Sequence, residues 1–220
     1  MPLSRFIQSV RFQPGWLGIF VSPVFFLRRE LNSFIKQQAP QMQGKVADIG
    51  CGTKPYQHYF TAAASYTGFD LAADQQADVV FDGKLIPATN GSFDNAISSE
   101  VLEHVFWPKE WLQEINRILK MDGLLLLTCP FMFQEHEAPH DYGRYSSYGL
   151  RHLLQQQGFE VIVFQKATTG LRCILLQWNV LWWTTFKKHL PRPTAFILSW
   201  FFFFPANLLG LLLGWCWKNT

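Results

Sequence analysis

The sequence has no C-x-x-C pair: its cysteines, Cys51, Cys129, Cys173 and Cys216, lie far apart. That spacing excludes a zinc framework and a small disulfide scaffold, and a reducing compartment is the simpler setting. Charge of one sign is also lacking, with 19 basic against 16 acidic residues and no basic run longer than Lys187-Lys188. A nucleic-acid partner is therefore not expected. Internal repeats and low-complexity linkers are absent, so 220 residues suit one ordinary domain with an added element. What is abundant is aromatic: 21 Phe and 9 Trp, densest between residues 178 and 217. Near the N-terminus, Arg5 and Arg11 precede an apolar stretch over 16–27 that contains Pro23 and runs into Arg28-Arg29. It reads as an interfacial or packing segment, not as a signal peptide.

From Lys45 onward short apolar runs alternate with helical patterns, which predicts an α/β domain. Strands are predicted over 46–49, 65–69, 78–81, 93–98, 124–128 and 159–164, after a helix over 24–38. Trp111, Leu112, Ile115, Ile118 and Leu119 fall on one helical face, with Lys109, Glu110, Glu114 and Arg117 on the other. The unbroken run of leucines at 124–127 fits a strand buried on both faces of a parallel sheet. A last helix over 147–157 is stopped by Gly158.

The first candidate site is Asp48-Ile49-Gly50-Cys51-Gly52-Thr53-Lys54-Pro55, following the first strand and expected to open a helix, since Pro55 suits a first helical position. Its glycines let backbone approach a ligand closely. The third glycine of a dinucleotide fingerprint is missing, so the loop suits a ligand without pyrophosphate, or is only a turn. Asp70 closes the second strand about 20 positions later, where a carboxylate accepts hydrogen bonds from ribose hydroxyls; the alternative is a solvated loop aspartate. Asp82 and Gly83 follow the third strand, where the acid could accept from an adenine amino group and the pair also reads as a turn. Past the fifth strand, residues 131–145 gather His136, His140, Asp141, Arg144 and Tyr145 on the sheet edge where ligands of open α/β sheets bind. The alternative there is an ordered polar loop capping the next helix. His136, His140 and Asp141 lack the context of a metal site, and no metal is expected.

Together with Phe93-Asp94-Asn95-Ala96-Ile97 and Val101-Leu102-Glu103-His104-Val105, these motifs resemble class I S-adenosylmethionine-dependent methyltransferases, closest to the type 11 methyltransferase-domain subgroup. Ile118-Leu119-Lys120-Met121-Asp122-Gly123 is similar to a later turn of that subgroup, with Met121-Asp122 replacing its proline and first glycine. The resemblance covers residues 45–163. It implies a Rossmann-like, doubly wound, mostly parallel sheet and S-adenosyl-L-methionine as cofactor. By it, Asp48, Gly50, Cys51 and Gly52 would line the methionine and ribose, Asp70 would hold the ribose, and Asp82 and Gly83 the adenine. Ser99 and Glu100 would form the floor near the sulfonium. His140, Asp141, Arg144 and Tyr145 fall in what looks like an acceptor-side loop.

Methyl transfer asks mainly for in-line alignment and exclusion of water. A sugar hydroxyl would need a base, for which His136 is the first candidate and His104 the second; a carboxylate acceptor would need none. Residues 194–217 contain no charge and are long enough for a hydrocarbon core, which takes ~20 residues as a helix. The expectation is a C-terminal apolar, membrane-associated helical segment, with Trp200, Trp215 and Trp217 near an interface and the catalytic domain facing the cytoplasm. The alternatives are a buried core helix or an intersubunit interface. The chain then divides into an N-terminal helical segment (1–40), the Rossmann-like domain (41–168) and the tail (169–220). The functional expectation is methyl transfer to a small or lipid-linked acceptor, a glycan hydroxyl among the options; the alternative is a non-catalytic, membrane-bound cofactor-binding or scaffold protein.

Overall fold

The computed structural model describes residues 12–71 and 76–214. They form two compact units, one built from the chain up to Phe34 and from Gln165 onward, the other from Ile35–Phe164.

The second unit holds a five-stranded sheet: β1 (Gly44–Ile49), β2 (Ala63–Asp70), β3 (Val79–Val80), β4 (Phe93–Ser99) and β5 (Leu119–Thr128). Its order is β3-β2-β1-β4-β5, with every neighbouring pair parallel. Strand order reverses between β1 and β4, so the crevice beyond their carboxyl ends is the place where such a sheet receives a ligand. This is the expected Rossmann-like parallel sheet. The helices number α1 (Gly18–Val21), α2 (Phe25–Gln38), α3 (Pro108–Ile118), α4 (Ser147–Gln156), α5 (Gly170–His189) and α6 (Arg192–Leu213).

α3 begins at Pro108, whose fixed φ suits a first turn, and buries Trp111, Leu112, Ile115 and Ile118 in the core with Ile49 and Phe69. α4 is capped by the Ser146 hydroxyl, which accepts from the Gly149 amide, and Gly158 follows it at φ 84°. The Lys120-Met121-Asp122-Gly123 turn lies inside β5 as an irregularity: Phe93 pairs with Leu119, while Asn95, two residues on, pairs with Leu124. Asp122 supplies the left-handed residue of this bulge at φ 63°.

Three local expectations differ from what forms. The segment after Pro55 winds only a 3₁₀ turn over Gln57–Tyr59, not a helix. Residues 159–164 form no strand and pair with none among the described residues; Ile162 and Val163 are exposed while Phe159 and Val161 pack on the core. β5 is thus an edge strand, and of its leucine run only Leu126 is fully buried.

The largest correction concerns the C-terminal run. No helix among the described residues is long and apolar enough to cross a membrane. The apolar membrane segment, the membrane as partner and the cytoplasm-facing membrane location therefore do not stand; Trp215 and Trp217 lie outside the described residues. α6 carries Ser199, Pro205 and Asn207 within its length, and the first unit buries the polar two. The Asn207 amide donates to the carbonyls of Ile19 and Ser22 at 2.9 and 3.3 Å and accepts from the Asn179 amide of α5 at 3.0 Å. Polar side chains that find partners inside a helical unit make α6 one wall of that unit's own core.

Candidate functional site

The β1 loop leaves the sheet at Gly50, whose φ of 76° only glycine adopts cheaply. A Cβ there would collide with both methyl groups of Val101, at the tip of the neighbouring β4 crossover. Gly50 and Cys51 amides both donate to the Phe69 carbonyl of β2, at 2.8 and 3.1 Å, folding the loop back over the β2 tip. Gly50→Ala is expected to destabilise the protein by about 2–4 kcal/mol, from the left-handed backbone and the overpacking together. Adding Val101→Ala should return only the packing part, which urea-unfolding midpoints of the two single variants and the double variant will resolve.

Two acids meet this loop. Asp70 ends β2; one of its oxygens accepts from the Gly52 amide at 2.6 Å and the other from the Leu71 amide at 2.7 Å. Asp48, at the end of β1, is buried and accepts from the Tyr66 hydroxyl at 2.6 Å. Burial pushes its carboxyl up to about 7, against the opposing effect of that hydrogen bond. The same burial, with Asp48 beside it, raises the Tyr66 phenol far above its ordinary value. Lys54 pairs with Asp78 at 2.6 Å, and the Asp78 carboxylate also accepts from the Gly68 amide, so this acid is held below the usual range. Sequence reasoning gave Tyr66, Lys54 and Asp78 no role in the site, although Lys54-Pro55 stand near the place where a dinucleotide site has its third glycine.

Cys51 is buried. Asp82 is exposed and accepts from the Lys84 amide at 2.9 Å, closing a turn with Gly83 at φ 79°. At the β4 tip the Ser99 hydroxyl lies 2.9 Å from that of Thr128. Glu100 takes φ 57° while its amide donates to the Thr128 carbonyl at 3.0 Å. The neighbouring Cys129 thiol is pushed up to about 12 by burial and by the charges of Glu100 and Glu103, which makes it a poor nucleophile.

The polar loop over 131–145 docks onto a 3₁₀ turn, Leu102–His104. The Glu103 carbonyl accepts from the amides of Tyr142 and Gly143, at 2.7 and 3.1 Å. Asp141 and Arg144 form a bidentate pair, and Asp141 also accepts from the His136 amide at 2.8 Å. That cation and that amide hold Asp141 well below the usual carboxylate range. Arg144 further donates to the Phe133 and Gln134 carbonyls, so this pair braces the loop. His140 Nδ1 lies 2.8 Å from the Tyr142 hydroxyl, and the Tyr145 phenol is raised by partial burial.

His104 and His136 come together, their rings edge to face at 4.9 Å. Between them lies Glu103, with no exposed surface and a carboxyl that burial, then the Glu100 charge, pushes up to about 8. Sequence reasoning missed Glu103 as well. An acid set in the apolar Val101-Leu102-Glu103-His104-Val105 was the signal for a buried carboxyl.

A family model described as a methyltransferase domain matches residues 25–163, more than half of the chain. Among solved structures, the [4+2]-cyclase SpnF is similar over 84% of this chain and 76% of its own, with a TM-score of 0.58 and 17% identity. A SAM-dependent methyltransferase from Archaeoglobus fulgidus is similar over 71% of this chain and 74% of its own, with a TM-score of 0.53 and 16% identity. At such identities the likeness is one of fold. No curated protein matches the sequence significantly.

Proposed function

Because the chain belongs to the methyltransferase-domain family, as a class I enzyme whose cofactor is S-adenosylmethionine, we propose that it methylates a hydroxyl of a small-molecule acceptor, of which a glycan is one class. The observation that carries this reading is the convergence of His104, on the turn past the β4 tip, with His136, on the loop that follows β5. In the proposed arrangement Asp48, Gly50, Cys51 and Gly52 line the methionine and ribose, and Asp70 takes the ribose hydroxyls. Asp82 and Gly83 border the adenine, and Ser99 and Glu100 lie under the sulfonium. His140, Asp141, Arg144 and Tyr145 form the acceptor wall, which the Asp141–Arg144 pair stiffens.

Bound S-adenosylmethionine, held by these residues, would supply the methyl group from a sulfonium that leaves as a neutral thioether. The hydroxyl proton passes to an imidazole, His136 first and His104 second, and thence to water. A base positioned in this way contributes about 10²–10⁴-fold. His136→Gln is expected to lower turnover by that factor and leave binding of the demethylated cofactor intact.

The test is to incubate the purified protein with methyl-labelled cofactor and extracts of hydroxyl-bearing small molecules. Label in an alkali-stable ether supports the reading. Label released by mild alkali as methanol marks a carboxylate acceptor and overturns it.

A further inference from the structure

We propose that Glu103, His104 and His136 bind one divalent first-row transition ion of the zinc type, leaving a coordination position open for an acceptor oxygen. The first ground is the donor set. One carboxylate oxygen and two imidazole nitrogens lie within 4.8 Å of one another. His104 Nε2 is 3.8 Å and His136 Nε2 3.9 Å from the same atom, Glu103 Oε1. Those separations are too long for hydrogen bonds. They are close to the spacing of about 3.4 Å that a tetrahedral ion with bonds near 2.1 Å imposes on its ligands.

The second ground is independent of spacing. Glu103 is fully buried, and neither of its carboxylate oxygens has a hydrogen-bond partner. A buried carboxyl left without partners is costly, and a cation shared with the two imidazoles removes that cost.

The third ground is how the rings are held. His104 Nδ1 lies 2.6 Å from the His140 carbonyl, which can only accept, so the proton sits on Nδ1 and the Nε2 lone pair is presented to Glu103. His136 Nδ1 faces Asp141 Oδ2 at 3.2 Å and the Gln134 carbonyl at 3.3 Å. Arg144 Nη2, at 3.4 Å from the same nitrogen, already donates to Asp141 and Gln134. The two acceptors therefore place the His136 proton on Nδ1 as well. A carbonyl or carboxylate behind each imidazole is the support that metal-binding histidines carry.

Two imidazoles and one carboxylate suit zinc and its neighbours better than magnesium or calcium. Glu137 Oε2, 3.8 Å from His104 Nε2 and largely exposed, stands where a fourth ligand or an incoming acceptor would come. A bound ion here replaces the expectation that no metal is held. It rests on the methyltransferase reading only for the nature of the open position, and it moves the histidines from taking the proton to holding an ion that acidifies the hydroxyl.

The full chain, with any affinity tag removed, is treated with chelator, dialysed and titrated with Co²⁺ and then Zn²⁺. One equivalent of Co²⁺ per chain is expected, with visible d–d absorption that Zn²⁺ abolishes. Glu103→Gln and His136→Gln should each remove the stoichiometric uptake, and Asp141→Asn should weaken it about 10-fold through the ring it orients. Calorimetry with S-adenosylhomocysteine on the same samples checks the cofactor site and the fold separately. Loss of cofactor binding with metal uptake intact counts against the methyltransferase reading alone. Absence of stoichiometric uptake by the wild-type chain overturns the metal site, leaving Glu103 a neutral buried acid. Wild-type-like uptake by both variants overturns it too. Should Glu103→Gln fail to fold, His136→Gln, on the partly exposed loop, decides.

Discussion

Asp70→Ala is expected to lower the affinity for S-adenosylmethionine and its demethylated product by about 100-fold or more. A carboxylate has about four lone-pair positions. Two of those on Asp70 are taken, by the Gly52 and Leu71 amides. The other two are free for the neighbouring hydroxyls of a ribose. A hydrogen bond to a charged group contributes about 1.5–3 kcal/mol, so losing two of them accounts for the factor. Alanine also strands the Gly52 amide and loosens the loop proposed to close over the nucleoside. Asp70→Asn separates the two effects: its single carbonyl oxygen can still hold Gly52, but its amide cannot accept from the diol. Affinity intermediate between wild type and Asp70→Ala is the expected result by calorimetry. Unchanged affinity in Asp70→Ala would take the ribose from this strand tip.

Asp48 is expected to couple both stability and cofactor binding to pH. Its carboxyl is raised from 3.8 to about 7 by burial, so the folded chain keeps a proton that the unfolded chain has released. The stabilisation from this group is fully present below about pH 4, is lost as pH rises through about 7, and is constant above that. Each tenfold difference in proton affinity between the folded and unfolded chain corresponds to about 1.4 kcal/mol, so the loss is on the order of 4 kcal/mol. In the metal-free protein Glu103, raised to about 8 chiefly by burial, adds a slope of the same sign that extends to higher pH. Comparison of wild type with Asp48→Asn isolates the first contribution: unfolding free energy of the variant should fall less steeply between pH 4 and 8. The cationic cofactor, in the proposed position against Asp48, would favour the ionised acid and should expel up to one proton on binding near pH 7. Calorimetry in buffers of different ionisation heat reads that proton directly. Equal slopes in the two proteins would show that Asp48 is ionised in the folded state throughout.

The elements legible in the sequence were those whose local pattern and tertiary role agree. α3 has an unambiguous apolar face, and all four of its inward residues are buried. Gly158 ends α4 with the left-handed φ that its place after a helix suggested. β1, β2 and β4 were visible as short apolar runs with the Asp48, Asp70 and Ser99 tips at one rim. The failures share another cause. Ile162 and Val163 have strand-like chemistry, but pairing is a property of two segments and no partner ladder forms among the described residues. The run over 194–217 has no charge, yet Asn207 decides the environment of α6 through partners on α1 and α5 that composition cannot announce, while Ser199 turns its hydroxyl back to the Ala195 carbonyl of the same helix. Of the proposed site, the loop glycines and Asp70 are singled out by spacing alone. Glu103 could not, because its meaning comes from His136, which the fold brings to it from beyond β5.

The clamp of the Tyr142 and Gly143 amides on the Glu103 carbonyl has one more consequence. A lid that opens by breaking only its own side-chain contacts could swing while the base of the pocket stays still. Here the latch is fastened to the backbone of the very turn that carries Glu103 and His104. Any breathing of the segment over 134–145 must therefore slacken that turn at the same moment, so on the proposed reading entry of an acceptor and preparation of its landing place would be one motion, governed by a single local opening free energy.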